Sequence, residues 1–309
     1  MAKIIIITAG IILLIFQYFS VPIPINTQFL IFIIGIILLG VPHGAADFLI
    51  ANKTATSSKK RFSNTRFFVN YIGRLILFAA TFWFFPIVAN FLFIFFAAYH
   101  FGETDLAKFH TDTFAGKIFV VSYGLLILGV ILLHHFSEVK PLLLLFKSGQ
   151  EQLSLIMWIE TNRYFLLSII GVTFFASTFF YFSSVETGNF NKDVFLIRLA
   201  FILFILFNLS MILGFTFYFI VWHSVLSLSN IITYLRMGNL YSTKRILKQI
   251  VFYSVLALVG IGLTGAAGFM FVNTSTITVY VFLGLAVLTA PHMEIMHEMY
   301  NKLRSQTQR

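Results

Sequence analysis

The sequence predicts an all-α fold: a polytopic transmembrane helical bundle of about eight to ten membrane-spanning helices. Three observations carry this reading. Hydrophobic residues make up 59% of the chain and charged residues 10%, whereas a soluble globular domain carries about 25% charged residues. The mean hydropathy is +0.92. Apolar runs close to the roughly 20 residues needed to cross a bilayer recur along the whole chain, separated by short polar loops. No stretch is left for a soluble domain, so residues 1–309 read as a single integral membrane domain.

The first apolar run, residues 4–23, follows Lys3 and is not followed by a small-residue cleavage site, so it reads as a retained helix. Further spans are expected at 27–50, 67–87, 88–106, 115–134, 163–183, 193–209, 212–236, 246–268 and 275–299. Loop charge orients them. Residues 51–66 hold Lys53, Lys59, Lys60, Arg61 and Arg66 without an acid, and residues 236–248 hold Arg236, Lys244, Arg245 and Lys248 without an acid. Both loops are therefore expected on the cytoplasmic side. The uncharged connection 269–274 suits the opposite side. Alternation then places both termini in the cytoplasm, with the more polar stretch 135–162 lying along the outer surface as an interfacial segment. The expected location is the cell membrane, as a multi-pass protein of a bacterial inner membrane.

The chain has no cysteine. That excludes disulfides, thiolate-held clusters, cysteine zinc sites and a cysteine nucleophile, and leaves nitrogen and oxygen as metal donors. The net charge of +10 comes mainly from residues flanking the spans, where they set topology, so no nucleic-acid partner is expected.

Four histidines stand inside the apolar runs: His43 in GVPHGAADF, His100 in AAYHFGETD, His223 in FIVWHSVLS and His292 in TAPHMEIMH. An ionisable side chain at membrane depth is costly and asks for a partner or a function. In the topology above they fall on spans that all run from outside to inside. His43, His100 and His292 lie about six or seven residues before the cytoplasmic ends, and His223 roughly two turns deeper. Asp47 follows His43 by four residues and Glu103 follows His100 by three, spacings that put each acid on its histidine's helical face. A carboxylate so placed can hold the imidazole N–H that does not face a metal. Pro42, Gly44 and Pro291 can kink a span and turn the side chain into a cavity. A single intramembrane histidine is as often a hydrogen-bond partner for a neighbouring helix. Four on parallel helices, two with an acid at helical spacing, point to one shared metal site.

The blocks GVPHGAADF, YHFGETD, YFIVWHS and APHM, in that order between residues 41 and 293, resemble the signature segments of the Brp/Blh family of membrane β-carotene 15,15'-dioxygenases. The resemblance covers most of the chain. It implies an enzyme that cleaves the central double bond of β-carotene, or of a related carotenoid, with dioxygen, giving two all-trans-retinal for a microbial rhodopsin. It also implies non-haem Fe(2+) held by histidines on several transmembrane helices, in contact with membrane lipid. His43, His100 and His223 match the iron ligands of the PHG, HF and WHS blocks, His292 matches the histidine of the PHM block, and Asp47 matches the acid after PHG. The family pattern places a second histidine one turn after the first in the WHS block; here that position is Ser227. His292, His297 or Glu294 would then complete the site, or the iron would keep fewer protein ligands. Glu103 joins Asp47 as an acid supporting the ligands, with helical spacing favouring it over Asp105 as the acid near His100.

Forty phenylalanines and twelve tyrosines could line a polyene tunnel, but most are expected to face lipid or to pack. Trp222, beside His223, is the aromatic singled out for substrate contact. His110 is expected in a cytoplasmic loop, His134 and His135 solvated or interfacial, and His297 off the His292 face by about 140°. Two other readings compete: a haem-binding membrane cytochrome using the same histidines as axial ligands, and a non-enzymatic transporter with Gly- and Pro-interrupted spans. A membrane di-iron hydroxylase would carry HxxxH and HxxHH boxes, which this chain lacks.

Overall fold

The structure, a computed structural model, describes residues 2–19, 23–145, 150–184, 192–238, 242–269 and 277–307. Every regular element among them is helical. In chain order these are α1 (Ala2–Phe19), α2 (Ile25–Ser57), α3 (Asn64–Phe84), α4 (Pro86–Asp105), α5 (Phe114–His134), α6 (Phe136–Leu144), α7 (Leu153–Ser184), α8 (Lys192–Asn208), α9 (Met211–Arg236), α10 (Thr243–Phe269) and α11 (Ile277–Thr307). Ten of them coincide with the ten expected spans, and α6 falls in the stretch expected at the interface. Seven (α2, α3, α4, α5, α7, α9 and, through Gly262, α10) are long and apolar enough to cross a membrane. The protein is a multi-pass membrane protein. Its exposed side chains include many large apolar ones, such as Trp83, Val172 and Phe179, as a lipid-facing surface requires.

The boundaries follow local chemistry. The Ser63 hydroxyl accepts from the Arg66 N–H and starts α3, and the Thr113 hydroxyl accepts from the Gly116 N–H and starts α5. Pro86 opens α4, where its missing N–H costs nothing. Helix α7 begins at Leu153, earlier than the expected 163, because its polar first turns are satisfied. Glu160 pairs with Lys140 at 2.7 Å, and the Thr161 and Asn162 side chains return to carbonyls one turn back. Three stretches widen into π-helix: Ile36–Gly40, Val130–His134 and Thr216–His223. Such segments are rare and tend to mark functional sites; the first lies just before Pro42 and the third ends on His223.

The chain divides into two compact units. The first comprises residues 1–40 and 108–225. Its aromatic core stacks Phe119 on Tyr181 with ring centroids 4.7 Å apart. Ser122 on α5 and Ser177 on α7 join their hydroxyls at 2.6 Å, an interhelical bond of the kind that replaces hydrophobic attraction in lipid. A Cβ at Gly116 would lie 2.6 Å from the Thr111 backbone, so only glycine allows this approach. His135, expected to be solvated or interfacial, is buried. Its Nε2 lies 2.8 Å from the Leu206 carbonyl oxygen, one of the open carbonyls at the end of α8.

The second unit comprises residues 41–107 and 226–309. Here α11 packs against α3, α4 and the last turns of α2. Ala46, Ile50, Ile231, Met296, Met299 and Tyr300 form its apolar centre. Helix α11 passes through Pro291 without ending.

Candidate metal centre

Three of the four predicted histidines belong to the second unit. His43 lies near the turn at Ala46 in α2, His100 near the end of α4 and His292 within α11, one residue after Pro291. All three are buried. The His292 ring stands edge-on to both others, with centroids 4.9 Å from His43 at 75° and 5.0 Å from His100 at 84°. His43 and His100 each offer a ring nitrogen within 4.8 Å of the other's. The sequence thus brings imidazoles from three helices to one place in the interior.

The His292 ring is held from one side. Its Nδ1 lies 2.8 Å from Asp47 Oδ1, and the Tyr71 hydroxyl of α3 donates to Asp47 Oδ2 at 3.0 Å. With the proton on Nδ1, the opposite nitrogen, Nε2, presents its lone pair. That atom is buried and has no hydrogen-bond partner among the described residues. A buried acceptor left in this state costs free energy unless something else uses it. A carboxylate on one ring nitrogen and an open lone pair on the other is the arrangement of a metal-ligating histidine. Two further imidazoles beside it and the absence of any thiolate fit a divalent first-row metal such as iron.

His223 lies in the first unit, at the end of the π-helical part of α9, fully buried and stacked on Phe219 at 5.9 Å. Trp222 beside it is also buried, with the Lys3 ammonium 5.7 Å from its ring centroid. Ser227, where the family resemblance leads one to look for a second histidine, is buried and hydrogen-bonds the Tyr300 hydroxyl. Tyr300 also donates to Thr104 at 3.2 Å.

Glu103 is built into a different cluster. Its Oε1 lies 2.8 Å from His297 Nδ1 and 3.2 Å from the Arg304 guanidinium, and Tyr99 donates to it at 3.4 Å. The second nitrogen of His297 lies 3.0 Å from the Asn301 amide, so both nitrogens have protein partners. Glu294 pairs with Arg74 at 2.7 Å near the surface. Helix α11 is therefore tied to α2 through His292, to α3 through Glu294, and to α4 through His297 and Arg304.

Tyr71 and Arg304 were not singled out in the sequence. Tyr71 carries a signal only as a phenol inside an apolar span, and Arg304 reads as part of a basic tail. Neither has a spacing that names its partner, because both partners lie on other helices.

No curated protein and no solved structure matches the chain. Residues 34–300, which include all four histidine blocks, match the family described as beta-carotene 15,15'-dioxygenase. As that match covers most of its length, the chain belongs to the β-carotene 15,15'-dioxygenase family.

Proposed function

We propose that the protein cleaves β-carotene at its central double bond with dioxygen, giving two all-trans-retinal, at a non-haem Fe(II) held by His43, His100, His292 and His223. The observation that carries this reading is the orphaned Nε2 of His292, set beside His43 and His100 and backed by Asp47. Family membership supplies the substrate class. His223 enters the proposed set on its WHS context, and His292 takes the place that Ser227 leaves.

Bound Fe(II) would supply dioxygen activation, chemistry suited to neutral imidazole donors. The residues of this chain do the rest. Asp47 fixes the His292 tautomer by accepting from Nδ1 and raises the basicity of Nε2. Tyr71 fills the second carboxylate oxygen and keeps Asp47 from rotating away. Apolar transmembrane helices around the site would exclude water and suit a polyene held in register. Such a substrate dissolves in the bilayer and can enter between helices, with Trp222 as the proposed aromatic contact. The reading places the protein in a bacterial inner membrane with both termini cytoplasmic, making retinal for a rhodopsin.

Expression in carotene-producing cells tests it. Extracted pigment should lose β-carotene and gain retinal. Unchanged β-carotene and no retinal, with the protein present in the membrane, would reject the reading.

A further inference from the structure

We infer that the basic groove at the end of α2 binds the headgroup of an anionic glycerophospholipid. The groove has a volume of about 570 Å³ and lies wholly in the second unit, lined by none of the four intramembrane histidines. Its walls come from three elements: the last turns of α2, the first turns of α3 and the C-terminal turns of α11. Lys60, Arg61, Arg66 and Lys302 line it, against one acid, Glu298. Ser58 adds a neutral hydrogen-bonding side chain.

The level of the groove selects the ligand. Residues 58–63 join two helices that are each long and apolar enough to cross the bilayer, so the turn lies at one membrane surface. A phosphodiester carries its negative charge at that level, with acyl chains running back into the bilayer beside α2 and α3. Lys302 is already fixed: its Nζ donates to the Thr54 carbonyl oxygen at 2.8 Å and to the Ser58 hydroxyl at 2.7 Å. Burial and the nearby Lys60 charge lower its pKa against the opposing pull of Glu298, and an anion would relieve this repulsion. Side chains from three elements around a concavity can hold one headgroup.

The test uses the full chain, purified in neutral detergent, stripped of lipid and titrated with phosphatidylglycerol or phosphatidylcholine, with bound lipid read by native mass spectrometry. Phosphatidylglycerol should bind the wild type at least about tenfold more tightly than phosphatidylcholine. Lys60→Gln/Arg61→Gln/Arg66→Gln should remove most of that preference, while Lys244→Gln/Arg245→Gln should keep it. Equal binding of the two lipids, or equal loss in both variants, would overturn the assignment. Displacement by inorganic phosphate at the same concentration as the lipid would also overturn it, as a soluble-anion site.

Discussion

Asp47 and Glu103 are both buried carboxylates on transmembrane helices, both follow a histidine by about one turn, and both are bonded by a histidine of α11. Their surroundings differ. Asp47 receives a phenol and an imidazole, and His292 beyond it keeps an orphaned nitrogen. Glu103 receives an arginine, an imidazole and a phenol, and the imidazole beyond it is closed by Asn301. A guanidinium neutralises the Glu103 carboxylate within a closed cluster, which fits a clamp between helices. With no cation paired to it among the described residues, Asp47 is available to polarise His292, which fits a ligand-support role. The difference separates two groups that look alike in the sequence.

The largest effect expected on the Asp47 side is from His292→Ala. It should abolish bound iron in protein purified with Fe(II), while circular dichroism stays helical. Unchanged iron content would remove His292 from the ligand set.

On the Glu103 side the effect should fall on stability instead. Glu103→Gln leaves Arg304 buried without its carboxylate and should cost about 3–5 kcal/mol. A thermal-unfolding scan in detergent reads this as a large drop in Tm, with metal affinity of the folded fraction unchanged. A loss of metal affinity with little loss of stability would merge the two regions.

Smaller effects sharpen the Asp47 side further. Asp47→Asn should weaken metal affinity by roughly 10–100-fold, and Tyr71→Phe by an amount near the lower end of that range, with little change in Tm. Titration with Co(II), followed by its visible absorption, measures both without turnover. Equal affinity of Tyr71→Phe and wild type would show that the phenol only packs.

The smallest effect belongs to a third acid, Glu138, in the first unit. A hydrogen bond from His135, with one from the Met211 N–H, holds its carboxyl below the ordinary range, against the opposing effect of burial. Its folded pKa is depressed, so its stabilisation is present above the ordinary carboxylate range and is lost as pH falls through the lowered value. Glu138→Gln should therefore lower Tm near neutral pH, and the gap should close in acid. Glu138 is partly exposed, so the difference should stay at or below about 1 kcal/mol.

These acids also mark how far the sequence could be read. The class, the helices and the convergence of His43, His100 and His292 were legible, because apolar runs and costly histidines are local signals. His135 and Glu138 meet at 3.4 Å on neighbouring turns near a helix end, a local pairing that helical spacing favours. In the interior of the second unit, helical spacing marks the face on which Asp47 and Glu103 lie but does not name their partners on α11. The bonds of Asp47 and Glu103 run to α11, more than 190 residues away, where burial makes a partner on another helix worth more than a local one. Tyr71 and Arg304 were illegible for the same reason. The role of Ser227 likewise depends on Tyr300, which only the fold brings to it.

On the proposed function, this chain holds iron through His43, His100, His292 and His223 and uses it to split β-carotene at the middle. The most direct measurement is product stoichiometry with purified, Fe(II)-loaded protein and β-carotene, with and without dioxygen. Two retinal per carotene consumed are expected, strictly dependent on dioxygen and absent in His43→Ala. Products of unequal length, or retinal at wild-type rates from His43→Ala, would contradict it.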